Sequence, residues 1–236
     1  MLQLAQLLQS IQSNEMLPIE SIEFVDHPIK CEIGFIGDIH NCKRTYLTLR
    51  KQARYTIQLG DLSNSSNVHN FFTYNDHHNH KYITGNHDWL DHEFIQPPNN
   101  LGDYGVVSFA DIPLNIGYIR GANSVDKNRR MAVHIDKYHE NEELSYEELD
   151  NAINFISSNK PDIIVTHMAP YCVHGNLRLL SNIGLIKSKT MMAFESLFND
   201  YKPSLWIFGH YHQNMVCVID RTVFVCVNMN EMMPLI

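Results

Sequence analysis

Read for apolar and polar positions, the chain resolves into short apolar runs, each closed by a glycine or a polar residue. Ile33 to Ile36, Tyr55 to Leu59, Lys81 to Thr84, Asp162 to Val165 and Leu205 to Phe208 are too short for helices and too continuous for half-exposed strands. They predict buried strands that deliver their last side chains to a sheet edge. Gly105 to Phe109 and Ile116 to Arg120 predict two more strands, and Met215 to Ile219 with Thr222 to Val227 a hairpin joined by Asp220-Arg221. Between them lie helical periods. Leu149, Ala152, Ile153 and Ile156 form one stripe behind a Ser145/Glu148 capping box and end at Pro161; Met191, Phe194, Phe198 and Tyr201 form another that stops at Pro203. Thr45 to Gln52 places Tyr46, Leu49 and Ala53 on one face. Leu4, Leu7, Leu8 and Ile11 predict a helix to about Ser13, followed by a connection through Pro18 and Pro28 with an edge strand at Ile22 to Val25. The organisation expected is one domain over 31–236, with 1–30 as a helical extension packed on it. No internal repeat or low-complexity tract interrupts it.

Five of the strand runs end in side chains suited to chemistry: Asp38-Ile39-His40, Gly60-Asp61, Gly85-Asn86-His87-Asp88, Thr166-His167 and Gly209-His210-Tyr211-His212. Any one alone is weak, since an Asp-x-His is as readily a helix cap with a surface histidine. Five strand ends, each offering a carboxylate, imidazole or carboxamide, are far more informative.

In this order the blocks D-x-H, G-D, G-N-H-[DE], H and G-H-x-H resemble those of the calcineurin-like metallophosphoesterases, from about Cys31 to the C-terminus. The resemblance implies an α/β fold, a two-layer mixed β-sandwich flanked by α-helices, with the site at the strand ends of one edge. It also implies roles. Asp38, His40 and His212 would hold one metal, and Asn86, His167 and His210 a second, with Asp61 bridging. His87 would be free to stabilise the phosphate or protonate the leaving oxygen. The implied activity is that of a dinuclear metal-dependent phosphoesterase, in which a metal-bridging hydroxide attacks the phosphate ester without a phosphoenzyme. The oxygen and imidazole set suits two divalent transition metals, Mn²⁺ first, with Fe, Ni, Co or Zn as alternatives, better than Mg²⁺ or Ca²⁺.

One block departs from the family pattern. Where many members read G-D-x-x-D, the second Asp orienting the catalytic histidine, this chain has Asn64. An amide can orient an imidazole but cannot stabilise its charged form by Coulomb attraction, so Asp88 or Asp91 substitutes, or the leaving group needs little protonation. Asn41 stands where the family often has glycine, and Asn next best tolerates the left-handed backbone of that turn.

Composition narrows the substrate. A formal charge of −8 argues against a long nucleic-acid duplex, which would need clustered Lys and Arg. A small phosphorylated molecule or a nucleotide remains. The alternative is a phosphodiesterase or nuclease on cyclic nucleotides or nucleic-acid ends, and a third reading is a scaffold that kept the fold and lost catalysis. In the loops, Lys127, Arg129 and Arg130 sit in GANSVDKNRR, a stretch similar to G-A-x-S-x-D-K-x-x-R of small bacterial and phage members, where they either contact phosphate or form a solvated face. His174 and Arg178 are further candidates for substrate contacts. Trp89 is either buried or a stacking surface for an aryl or base group. The histidines His69, His77, His78 and His80 lie in a polar stretch and read as solvated.

Five cysteines without zinc-type spacing make a disulfide framework improbable and fit reduced thiols and a cytoplasmic location. Cys42, close after Asp38, reads as a loop filler rather than a ligand. No stretch has the length of a membrane-spanning helix, and the start of the chain lacks the basic and apolar regions of a signal peptide.

Overall fold

The computed structural model describes every residue except 28, 52, 64–65, 73–75, 89–96, 125–139 and 178–187, and leaves out the side chains of 66, 67 and 140. In chain order the elements are α1 (Leu4–Ser13), β1 (Cys31–Ile36), α2 (Lys43–Arg50), β2 (Ala53–Gln58), β3 (His80–Tyr82), β4 (Tyr104–Val107), β5 (Ile116–Ile119), α3 (Tyr146–Asn159), β6 (Ile163–Thr166), α4 (Lys189–Asp200), β7 (Leu205–Phe208), β8 (Met215–Ile219), β9 (Thr222–Cys226) and β10 (Met232–Leu235).

The strands form two mixed sheets, one ordered β10-β1-β2-β3 and the other β4-β5-β6-β7-β9-β8. β1, β2 and the edge strand β3 run parallel in the first sheet, as do β5, β6, β7 and β9 in the second. Antiparallel strands form the other three edges, β10 on β1, β4 on β5 and β8 on β9.

The alternation of side chains along a strand sorts them into layers. Ile33 and Phe35 of β1, Ile57 of β2, Ile163 and Val165 of β6, Leu205 and Ile207 of β7, and Val223 and Val225 of β9 share one buried cluster between the sheets. Their neighbours point the other way. Ile164, Trp206, Phe208 and Phe224 pack under α3 and α4 with Leu149, Ile156, Phe194 and Phe198. Ile36 and Met232 pack under α2 with Tyr46 and Leu49. The result is a two-layer β-sandwich flanked by helices, as the resemblance implied, and it explains why continuous rather than alternating apolar runs marked these strands.

Helix ends follow their local chemistry. Ser145 Oγ accepts from Glu148 N while the Glu148 carboxylate accepts from Ser145 N, so the capping box opens α3. Ser188 Oγ accepts from Met191 N at the start of α4. Asp220 and Arg221 take φ of 47° and 72°, both left-handed, as a two-residue hairpin turn between β8 and β9 requires.

The N-terminal segment joins the sandwich. Leu2, Leu7, Leu17 and Ile22 belong to the inter-sheet cluster, and Leu2 pairs with Leu235 at the end of β10. The edge strand expected at Ile22 to Val25 reduces to a single bridge between Val25 and Met232. Strand β10 itself carries no strong sequence signal: it is four residues with a proline, tolerated because β10 is the edge of its sheet.

Candidate metal centre

Strands β1, β2 and β3 end at Asp38, Asp61 and the Asn86-His87 pair, and β6 and β7 end at His167 and the His210–His212 turn. Parallel neighbours deliver their C-terminal ends to the same edge, so two separate sheets converge on one cluster. Donor atoms of Asp38, His40 and His212 lie within 4.8 Å of one another, and so do those of Asp61, His167 and His210. Asp38 and His167 are fully buried, and Asp61 is nearly so.

The turns that present these groups are held in costly conformations. His40, Asn41, Asp61, His210 and His212 all have positive φ, between 45° and 69°. For residues with a Cβ each such conformation costs about 1–3 kcal/mol, and it persists only where surrounding bonds over-determine it. Those bonds are present. His40 N donates to Asp61 O at 2.9 Å, His210 N donates to Asp38 Oδ1 at 3.0 Å, and His87 N donates to Asp61 Oδ1 at 2.8 Å. Asn41 at φ 68° keeps the turn expected of it, and its Oδ1 accepts from Ser63 Oγ at 2.7 Å.

Glycines make room for the carboxylates. A Cβ at Gly209 would run into Asp38 Oδ1, and one at Gly85 would meet Asp61 Oδ1 and, at 2.6 Å, His167 Nε2. The glycines of these blocks are therefore spacers for the side chains of neighbouring blocks.

The arrangement of lone pairs tests whether cations fit. The backbone oxygen of Leu59 can only accept, so His167 Nδ1, at 2.7 Å, must be the donor. In the neutral ring this leaves Nε2 with a lone pair, and it faces two further acceptors, Asn86 Oδ1 at 3.1 Å and Asp61 Oδ1 at 3.4 Å. His40 Nε2 and His212 Nε2 likewise face each other at 3.0 Å. Asp38 Oδ2 is buried and accepts no well-directed hydrogen bond, although His212 Nε2 is 2.9 Å away. Lone pairs converging around the buried Asp38, Asp61 and His167, with the more exposed His40 and His212 on the solvent side, suit a cation, either a proton or a metal ion, and the donor set suits a divalent transition metal. The residues present fit such ions.

Protons fill that role when metal does not. For His167, burial favours the neutral form, but the charges of Asp61 and Asp38 prevail and raise its pKa to about 9. Burial and the charge of His167 push His210 down to about 3. His40 is lowered by burial against the pull of Asp61 and Asp38, whereas His212 is raised by its contact with Asp38. Burial alone would raise Asp61, yet His167 and His87 hold it below the usual carboxylate range. Metal must displace protons here, so affinity will fall on acidification.

His87 sits at the rim. Its Nε2 is 3.9 Å from Asp61 Oδ2, and its ring meets that of His40 edge-on with centroids 5.1 Å apart. Asp88 does not serve as its orienting partner: Oδ2 accepts from Asp61 N and Gly85 N, and Oδ1 from Ser63 N. Burial and the nearby charge of Asp61 raise the Asp88 pKa to about 7. Asp88 is a clasp for the two loops that carry Asp61 and Asn86.

The remaining candidates separate. His174 lies on the short helical segment Tyr171–Asn176, its ring stacked with Tyr171 and its Nε2 buried with no hydrogen-bond partner. Asn64, Trp89, Asp91, Lys127, Arg129, Arg130 and Arg178 lie outside the described residues. Cys42 is exposed, its Sγ beside Thr45 Oγ1, and belongs to neither donor group; all five cysteines are free. Of the histidine-rich segment, His80 is half-buried on β3 with Nδ1 3.0 Å from Thr56 Oγ1, not solvated as its polar surroundings suggest. A cavity of about 500 Å³ beside the His212 turn, lined by Asn176, Gln213, Asn214, Met215 and Val216, carries no sequence signature. Among the described residues no helix is long and apolar enough to cross a membrane.

The chain was compared with known proteins. The family model described as calcineurin-like phosphoesterase matches residues 32–214. Among solved structures, the chain is similar to a phosphopantetheinyl hydrolase from Mycobacterium tuberculosis, at 14% identity over 86% of this chain and 92% of that one, TM-score 0.44. It is also similar to GAP50, the anchor in the inner membrane complex of Plasmodium, at 12% identity over 85% and 73%, TM-score 0.44. A third is vacuolar protein sorting 29 from Cryptosporidium parvum, at 13% identity over 85% and 76%, TM-score 0.36. No curated protein sequence matches significantly.

Proposed function

Because the chain belongs to the calcineurin-like phosphoesterases and is a metal-dependent phosphoester hydrolase, we propose that it works with two divalent ions, Mn²⁺ first among them, on a small phosphorylated molecule or nucleotide. Asp38, His40 and His212 would hold one ion and Asn86, His167 and His210 the other, with Asp61 available to both. The observation that carries this reading is the pair of donor groups, each within 4.8 Å and each containing one buried aspartate and two histidines. Two such ions, when bound, acidify water and neutralise the charge that builds on a phosphoryl group during in-line displacement.

The protein's own residues do the rest. Leu59 O fixes the His167 tautomer so that Nε2 faces the pocket. Asp61 is held by the His87 N–H, and the same short turn brings the His87 imidazole to the rim, where it can give a proton to the leaving oxygen or bond the phosphate. The Asp88 carboxylate is occupied by three backbone N–H groups, and the charge beside that imidazole is Asp61, whose Oδ2 lies 3.9 Å from His87 Nε2. Residues 31–236 form the catalytic domain with 1–30 packed on it, and the free thiols fit a reducing, cytoplasmic setting.

The test is Mn²⁺-dependent hydrolysis of an aryl phosphomonoester and its matching diester by wild type and Asp61→Asn. We expect turnover by wild type that the variant loses by at least about 10²-fold with its circular dichroism unchanged. Full activity in the variant would sink the assignment.

A further inference from the structure

Within the stretch GANSVDKNRR the cations are candidates for phosphate contacts, yet the described part of the stretch points to its serine. Ser124 and Glu142 are both buried, 2% and 4% exposed. Ser124 engages both oxygens of the carboxylate: its N–H donates to Glu142 Oε1 at 3.1 Å and its hydroxyl to Oε2 at 2.7 Å. A serine hydroxyl has one proton, so once that proton is given to Glu142 the oxygen can only accept. What it accepts is the carboxamide N–H of Asn86, at 2.9 Å. The amide is thereby oriented, with its nitrogen on Ser124 and its Oδ1 turned to His167 Nε2 and the pocket. Backbone bonds from Gly121 N to Thr84 O at 2.9 Å and from Ala122 N to Glu142 O at 3.1 Å hold the three segments in register.

We propose that Glu142 and Ser124 are a positioning relay that decides which end of the Asn86 carboxamide faces the metal pocket, and through it sets the affinity for the second ion. The proposal rests on the reading of Asn86 as a ligand given above. Its physical content is competition. A carboxamide turned by half a rotation would withdraw Oδ1 from the pocket and put its NH₂ there instead, a donor facing Asp61 Oδ1 that takes up a lone pair and competes with a cation. Ser124 opposes the rotation because, with its proton given to Glu142, it presents an acceptor to the amide. In Glu142→Gln the new amide can donate to Ser124 instead, which frees the hydroxyl proton to turn toward Asn86.

The experiment is titration of metal-free wild type, Ser124→Ala and Glu142→Gln with Mn²⁺, following free Mn²⁺ by its electron paramagnetic resonance signal and fold by circular dichroism. We expect wild type to bind two ions, and both variants to keep the first step while the second weakens by about 10–100-fold, the usual effect of losing an outer partner of a ligand. Wild-type affinities in both steps of the folded variants would overturn the relay and leave the metal assignment standing. Equal weakening of both steps would overturn it too, since that marks a general disturbance. Wild type that binds fewer than two ions would overturn the two-ion reading itself, and the relay with it.

Discussion

At Gly209 a hydrogen stands where any other residue would press a carbon on Asp38 Oδ1, and at His40, Asp61, His210 and His212 the backbone accepts a left-handed turn to aim a side chain inward. The site is thus built from residues whose identity is set by a neighbour in space. His80 shows the same dependence away from the site. Its burial on β3 and the nearby charge of Arg50 lower its pKa to about 4, against 6.5 for an ordinary histidine. Between those values the unfolded chain binds a proton that the folded protein refuses. Stability from this group is therefore complete above pH 6.5 and is lost as pH falls toward 4, by an amount of order 1 kcal/mol once solvent screening is allowed for. Measured as thermal midpoint against pH, wild type should lose stability relative to His80→Gln over that window. Parallel curves would refute the assignment. The polar neighbourhood of His80 in sequence concealed this, because burial came from strand pairing with Thr56.

The elements that sequence marked best are those whose signals are local. The capping box of α3 is visible as Ser145 and Glu148, and both of its hydrogen bonds form. Ser145→Ala should cost about 1 kcal/mol in urea denaturation, within the range of about 0.5–2 kcal/mol for lost caps, and leave metal content unchanged. A shift in metal affinity would mean that α3 does more than cover the sheet. The hairpin at Asp220-Arg221 was equally legible. By contrast, β10 has no local signal, because a four-residue strand with a proline has no period; its existence depends on β1 being there to pair with. The expected edge strand at Ile22 to Val25 failed for the opposite reason, since apolar residues alone do not supply a continuous partner.

At the scale of the whole molecule, the two sheets share one core, and the N-terminal segment contributes Leu2, Leu7, Leu17 and Ile22 to it. Each fully buried aliphatic side chain is worth about 1.5–3 kcal/mol relative to exposure. Deleting residues 1–30 should therefore lower the denaturant midpoint sharply, a loss of several kcal/mol from a total that for most domains is about 5–15 kcal/mol. A truncated protein as stable as wild type, by guanidinium titration, would show that this segment is an independent appendage.

The amino-acid sequence by itself determined the strand runs, the capped helices and the five blocks that close the strands, because each is a pattern within a few consecutive residues. Those blocks sufficed to point to a family and to a set of donor side chains. What only the tertiary structure decided is how the blocks meet: the His167 tautomer set by Leu59 O, the Asp88 carboxylate spent on backbone N–H groups instead of on His87, and the Asn86 amide oriented from Ser124 and Glu142. These are contacts between residues far apart in the chain. Their geometry comes from two sheets packing face to face, and no local period encodes it.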